Sequence, residues 1–306
     1  MKESIVHSVR IIGPGRAGMS LAGALKGTSF EVLGVLGRSD SSEAFAQAAQ
    51  GVDLLVLAVP DREVSRVARE VEPNPDAVVS HMSGSLGLDA LWPHGRRASI
   101  HPLVPLVDWH IGALRLKQGC TFAIEGDPLV GELAEVLGGR TIQVDPSKRV
   151  PYHAAACIAA NHLVVLLSQV QRMAARAGLS LQDFEGLAKL ALQDAFALGP
   201  SKAITGPAAR GDTVTLQAHR LEMDPMDRQA YDAMARLAEI LAIERGPVDQ
   251  TGEAPSAPAS QVPSAPISQV PSAPVIEVTS ASPGRGAFSE STESEKLAPT
   301  AMGVLG

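Results

Sequence analysis

The chain has 306 residues, 45% of them apolar, with 26 Lys and Arg against 33 Asp and Glu and a net charge of −7. That length allows two packed domains of ~100–200 residues each, and an acidic balance without a basic block excludes a protein that tracks nucleic-acid phosphates. Cys120 and Cys157 stand far apart, without the clustered Cys/His spacing of a zinc site, so no metal is expected and both are read as reduced thiols.

The N-terminal stretch MKESIVHSV lacks the apolar run of a secretory leader. No stretch reads as the ~20 apolar residues of a membrane span. The expectation is a soluble, cytoplasmic protein with neither membrane nor nucleic acid as partner.

Short apolar runs then alternate with Ala-rich helical stretches. Strands are expected at 8–13, 31–37, 53–59, 77–82 and 97–103, with a further pair at 120–126 and 140–145 around the helix DPLVGELAEVLGG. Near-continuous apolar runs belong to strands covered on both faces, and their alternation with helices predicts an α/β fold with a doubly wound parallel sheet, of Rossmann type, over 1–147. From 148 to 249 the pattern is helical throughout. The run 151–178 is apolar on all sides, as for a central bundle helix or a dimer interface, and Gly178 reads as its C-cap. Further helices are expected at about 180–198, 212–222 and 225–245. Residues 250–306 carry PSAPASQV, PSAPISQV and PSAPVIEV, consecutive eight-residue repeats too proline-rich for a packed core, and a disordered tail is expected there.

The glycines of IIGPGRAGMS have the spacing G-x-G-x-x-G between the first strand and the first helix. Gly13 permits the sharp turn, Gly15 lets a pyrophosphate approach the backbone, and Gly18 lets the helix beginning near Arg16 and Ala17 pack on the strand. The second strand ends in Gly37, Arg38 and Ser39, with no acid at its tip to accept from a ribose 2′-hydroxyl. Arg38 pairs with phosphate and Ser39 donates to it, which predicts NADP in preference to NAD.

Other strand ends face the same crevice. Val59, Pro60 and Asp61 shape the loop beside the nucleotide, Ser83 and Gly84 offer a hydroxyl and backbone N–H groups to a substrate carboxylate, and His101 either donates to substrate or caps its strand. On the long helix, His153 lies two turns before Asn161, ~12 Å along the axis and about 80° around it, so the two line adjacent edges of one cleft. In TGPAARGDTVTLQAH, Arg210 suits an anionic substrate, and Asp212, Thr215 and His219 share one helix face, Asp212 also being placed to cap that helix.

GPGRAG, HMSGSLG, HPL, YHAAACIAANH and TGPAARGDTVTLQAH, in this order over residues 8 to about 245, resemble the family that joins a Rossmann-like domain to a helical domain of unknown function, within the 6-phosphogluconate dehydrogenase-like superfamily. The resemblance implies NAD(P)-dependent hydride transfer in a cleft between the domains and a homodimer formed through the helical part. Some members being ketopantoate reductases, it implies a small branched 2-oxo acid as substrate. Classical relatives carry a Lys one turn before the Asn; here that position is Cys157, and His153 is the expected proton donor, with Lys148 and His101 as substitutes. Two rivals are a dehydrogenase of the prephenate or arogenate kind, which also carries a His-Pro pair, and an NADP-binding sensor without turnover.

Overall fold

The computed structural model describes residues 6–245; the repeat-bearing tail lies outside them, and so does the expectation of disorder there. Seven strands form one sheet in the order β2-β1-β3-β4-β5-β6-β7. They are β1 His7–Ile12, β2 Phe30–Leu36, β3 Leu54–Leu57, β4 Val78–His81, β5 Arg97–Pro102, β6 Thr121–Gly126 and β7 Arg140–Gln143. The first five are mutually parallel, as their apolar runs predict. On β3 every side chain is buried, Leu54 and Val56 in one core and Leu55 and Leu57 in the other, which is the period-two alternation of a strand covered on both faces.

Helices α1 (Arg16–Leu25), α4 (Trp109–Lys117) and α5 (Leu129–Val136) cover the first core, and α2 (Ser42–Ala46) and α3 (Asp61–Glu70) the second. Gly112 on α4 sits so close to Ser20 on α1 that a Cβ would lie 2.1 Å from its Oγ.

The last strand pair departs from an all-parallel sheet. β6 runs antiparallel to β5, and β7 parallel to β6. The chain re-enters beside the end of β5, where the Leu103 N–H donates to Thr121 O at 2.8 Å, instead of being carried back to the strand start as a parallel return requires.

The helical part begins with one long rod. It comprises α6 (Arg149–Cys157), a π-turn over Ile158–His162 and α7 (Leu163–Arg176), and Gly178 follows it with φ +73°. Then come α8 (Glu185–Leu198), the short α9 (Pro200–Ala203), α10 (Thr213–Leu221) and α11 (Pro225–Glu244). Buried Asp227 on α11 accepts from Arg172 at 2.5 and 2.9 Å and ties α11 to α7. Many apolar side chains of this part face outward, Val164, Leu187 and Ile240 among them, and Phe196 is 90% exposed.

The rod corrects one expectation. Helix from Pro146 to Arg176 is continuous for 31 residues with mean hydropathy 1.5, long and apolar enough to cross a membrane by length and composition. Its His153, Asn161 and His162 break the run in sequence, yet they are too few to lower the average over a whole helix.

Candidate active site

Strand order reverses between β1 and β3, and in an open α/β sheet that switch point opens a crevice at the strand ends. Gly13 turns the chain there with φ +116°, and a Cβ on it would lie 2.5 Å from Ala58 O. A Cβ on Gly18 would lie 2.1 Å from Gly13 O, so only glycine lets α1 pack this closely. A Cβ on Gly15 would meet nothing within 4 Å, which leaves open space where a ligand phosphate would sit. Gly15 also N-caps α1 without a side-chain bond, so the first N–H groups of the helix, near Arg16 and Ala17, remain available to an anion.

The crevice has a volume of about 400 Å³ and is lined by Gly13, Gly15, Arg38, Val59 and Pro60 among others. Arg38 makes no ion pair among the described residues, while Asp40, the acid nearest in sequence, accepts from the Gly37 N–H at 2.7 Å. Ser39 is exposed beside Arg38 and lies outside the lining. Glu63 and Arg66 of α3 also line the crevice, which the sequence reading missed; Arg66 is paired with Glu63 at 2.9 Å and with Glu70. The glycine spacing and the unpaired cation fit a dinucleotide carrying a 2′-phosphate.

Asp61 has a different place from the one expected. Its Oδ2 accepts from Ser83 Oγ at 2.8 Å and Ser85 Oγ at 2.6 Å, and Ser83 Oγ in turn accepts from the Ser85 and Leu86 N–H groups. The Ser83 hydroxyl is thus committed to shaping its own loop.

A second cleft, of about 720 Å³, lies between the end of β5 and the long rod. His101, Tyr152, His153, Cys157 and Asn161 all line it, together with apolar residues such as Leu103, Ile142 and Val164. The three residues expected to be catalytic, His101, His153 and Asn161, therefore meet in one place. His101 Nδ1 lies 2.5 Å from the Tyr152 hydroxyl, and the His101 and His153 rings stand edge-on with centroids 5.8 Å apart. Burial, reinforced by His153 and Arg149, pushes His101 down to about 4, and burial pushes the Tyr152 hydroxyl up to about 12. His153 Nε2 sits 3.6 Å from Cys157 Sγ; its Nδ1 is buried with no partner among the described residues. Gly84 closes the cluster from the loop after β4, where a Cβ would meet both imidazoles.

The rod is fastened to the sheet one turn earlier. Buried Arg149 donates to Ser99 Oγ at 3.1 Å and pairs with Glu125, which sets Tyr152 and His153 against the end of β5. Asn161 lies within the π-turn, a geometry that widens one turn of a helix and recurs at functional sites. Tyr152 was missed from sequence; its place beside His153, in a chain with two tyrosines, was the available signal.

Arg210, Asp212, Thr215 and His219 do not line either cleft. Asp212 caps α10, accepting from Thr215 N at 3.0 Å and Thr215 Oγ1 at 2.7 Å, and His219 Nδ1 lies 2.7 Å from the Tyr231 hydroxyl. Asp212 is spent on its cap and His219 on α11, so within one chain this cluster is a wall without a cleft. Lys148, the other substitute donor, is likewise outside the lining.

Residues 3–105 match the model of a Rossmann-like domain, and residues 120–238 match that of a domain of unknown function, DUF2520. The chain joins a Rossmann-like domain to a DUF2520 domain. The DUF2520 match begins one residue before β6, so it takes in β6 and β7 as well as the helices. A protein from Thermotoga maritima has a similar structure at 27% identity and TM-score 0.59, covering 77% of this chain and 98% of that one. A proposed NADP oxidoreductase from Bacteroides fragilis is similar at 20% identity and TM-score 0.61, over 79% and 99% of the two chains. A 1-pyrroline-5-carboxylate reductase from Streptococcus pyogenes is similar at 17% identity and TM-score 0.53, over 77% and 99%. No curated protein matches the sequence.

Proposed function

We propose that this Rossmann–DUF2520 protein is an NADP-dependent reductase of a small carbonyl or imine compound. The observation that carries the reading is a pair of clefts at the same, C-terminal edge of the parallel strands: a glycine-lined crevice with an unpaired Arg38 at β1 and β3, and at the end of β5 a cleft lined by His101, Tyr152, His153 and Asn161. The names of the Bacteroides and Streptococcus neighbours, an NADP oxidoreductase and a reductase, support it.

Bound NADPH would supply a hydride. The chain's own residues do the rest: the first N–H groups of α1 and Arg38 hold the dinucleotide phosphates, Asn161 donates to the substrate heteroatom as negative charge develops there, and the His153 imidazole lines the same cleft and orients the substrate.

A 2-oxo acid such as ketopantoate needs a cation for its carboxylate. Arg149 is buried and paired, and Ser83 is committed to Asp61, which leaves Arg210. Arg210 lines neither cleft of its own chain, so this reading supplies it from a second copy of the chain. The outward apolar side chains of the helical part support such a homodimer, and the Arg149–Glu125 anchor supports an interface role for the long rod over a membrane one.

Fluorescence titration with NADPH and NADH, then absorbance at the nicotinamide band with 2-oxo acids, cyclic imines, prephenate and arogenate, tests the reading. Tighter NADPH binding, weakened by Arg38→Ala while NADH binding is unchanged, is the expected result. Binding without turnover on any compound would favour a sensor, and NADP reduction by prephenate or arogenate the dehydrogenase.

A further inference from the structure

Tyr152 lines the reaction cleft, and nothing assigned to Asn161 or His153 requires it. Its hydroxyl bonds to a residue 51 positions away, His101 at the end of β5, with the rings perpendicular at 5.8 Å. The contact is held from both sides, since Arg149 fixes the start of α6 to β5 and β6, and Gly84 packs on the His101 ring. His81 on β4, Asp61 on α3, Glu125 on β6, and Arg149 and His153 on α6 are the charged or titratable groups around the pair. In that setting the phenol keeps its proton and the His101 imidazole stays neutral through the physiological range.

We propose that the Tyr152 hydroxyl is the proton donor of the reduction, with His101 as the residue that positions it and restores its proton. This rests on the reductase reading. As hydride forms the new C–H bond, the π pair of the C=O or C=N bond moves onto the heteroatom, which takes the Tyr152 proton. His101, as its Nδ1–H tautomer, passes that proton to the tyrosinate oxygen while Nε2 accepts one from solvent, so the ring ends neutral in its other tautomer. One solvent proton is consumed per turnover. His153, beside Cys157, then orients the substrate and is not the acid.

The test uses the full chain with NADPH and four probes: ketopantoate, glyoxylate, cyclohexanone and 2-methyl-1-pyrroline. On whichever probe the wild type reduces, Tyr152→Phe is expected to lower kcat ~100-fold or more while KM and the NADPH Kd stay within about threefold. His101→Ala should lower kcat by a similar factor, and His101→Asn, whose amide N–H reaches the place of Nδ1–H, should recover ~tenfold of it. The double variant should be no slower than Tyr152→Phe, because the two act as one unit. A Tyr152→Phe kcat within ~tenfold of wild type overturns the proposal, and so does a fall in NADPH affinity as large as the fall in kcat. If the wild type reduces none of the probes, the reductase reading fails first and this inference with it; turnover that survives Tyr152→Phe overturns this inference alone.

Discussion

Gly84 and His153 are in contact across two elements: a Cβ on Gly84 would lie 2.6 Å from His153 Nδ1, and 2.7 Å from His101 Cε1. The loop after β4 therefore sets the distance between sheet and rod at the point where the two imidazoles meet. Gly84→Ala should push both rings from their places without touching the nucleotide crevice. Turnover is expected to fall by ~100-fold, the scale set by a misplacement of about 1 Å, with NADPH affinity unchanged. Wild-type turnover in this variant would show that the rings shift freely and that their spacing does not matter.

The fingerprint glycines should separate by mechanism. Gly15→Ala meets open space, so the thermal midpoint should stay near that of the wild type while nucleotide binding is lost. Gly18→Ala drives a methyl against the Gly13 carbonyl, and the helix must move off the strand, at ~1–3 kcal/mol or more for an overpacked site. Equal thermal shifts in the two variants would contradict this division of labour.

Arg149 and Glu125 form a pair with little exposure to water. Arg149→Met strands the carboxylate and should cost ~3–5 kcal/mol in urea unfolding, whereas the double change Arg149→Met with Glu125→Leu should return most of that. A single variant that loses less than ~1 kcal/mol would show that the carboxylate finds water or a proton instead.

Acid should weaken the fold before its carboxylates titrate. The unfolded chain protonates His101 near ~6.5, while the folded chain resists until about 4. In that window the unfolded state binds more protons, so stability falls as pH drops from ~6.5 towards 4, by on the order of 3 kcal/mol at full extent. His81 and His94 are also lowered by burial and act in the same direction. Urea midpoints between pH 7.5 and 4.5 would show the slope, and His101→Asn should flatten it; a slope unchanged by that substitution would remove His101 as its cause.

The glycine-lined crevice was legible in sequence because its residues answer to local backbone demands. Gly13 serves a positive φ and Gly18 a clearance that no other side chain meets, so their spacing alone places them. Strand identity was legible for the same kind of reason, since burial on both faces leaves unbroken apolar runs. The direction of β6 was not, because an apolar run reads the same both ways and only the Leu103–Thr121 contact decides it. His101 with Tyr152, and Asp61 with Ser83, join residues distant in sequence, and each residue alone has an ordinary explanation. Arg210, Asp212, Thr215 and His219 are adjacent in sequence, yet a shared helix face does not say which cleft, or which copy of the chain, that face meets.

The π-turn at Ile158–His162 amounts to one surplus residue held inside a helix, and it divides the rod into halves with separate obligations. The half before it answers to Arg149 and the sheet; the half after it answers to Asp227 and the bundle. Deleting Ala160 should close the turn into ordinary helix, and because four residues of α-helix sweep nearly the same ~400° as the five of the wide turn, each half should keep its own contacts while the widened backbone around Asn161 is lost. Seen as an evolutionary record, the surplus residue lets the half of the helix that answers to the sheet and the half that answers to the bundle drift independently.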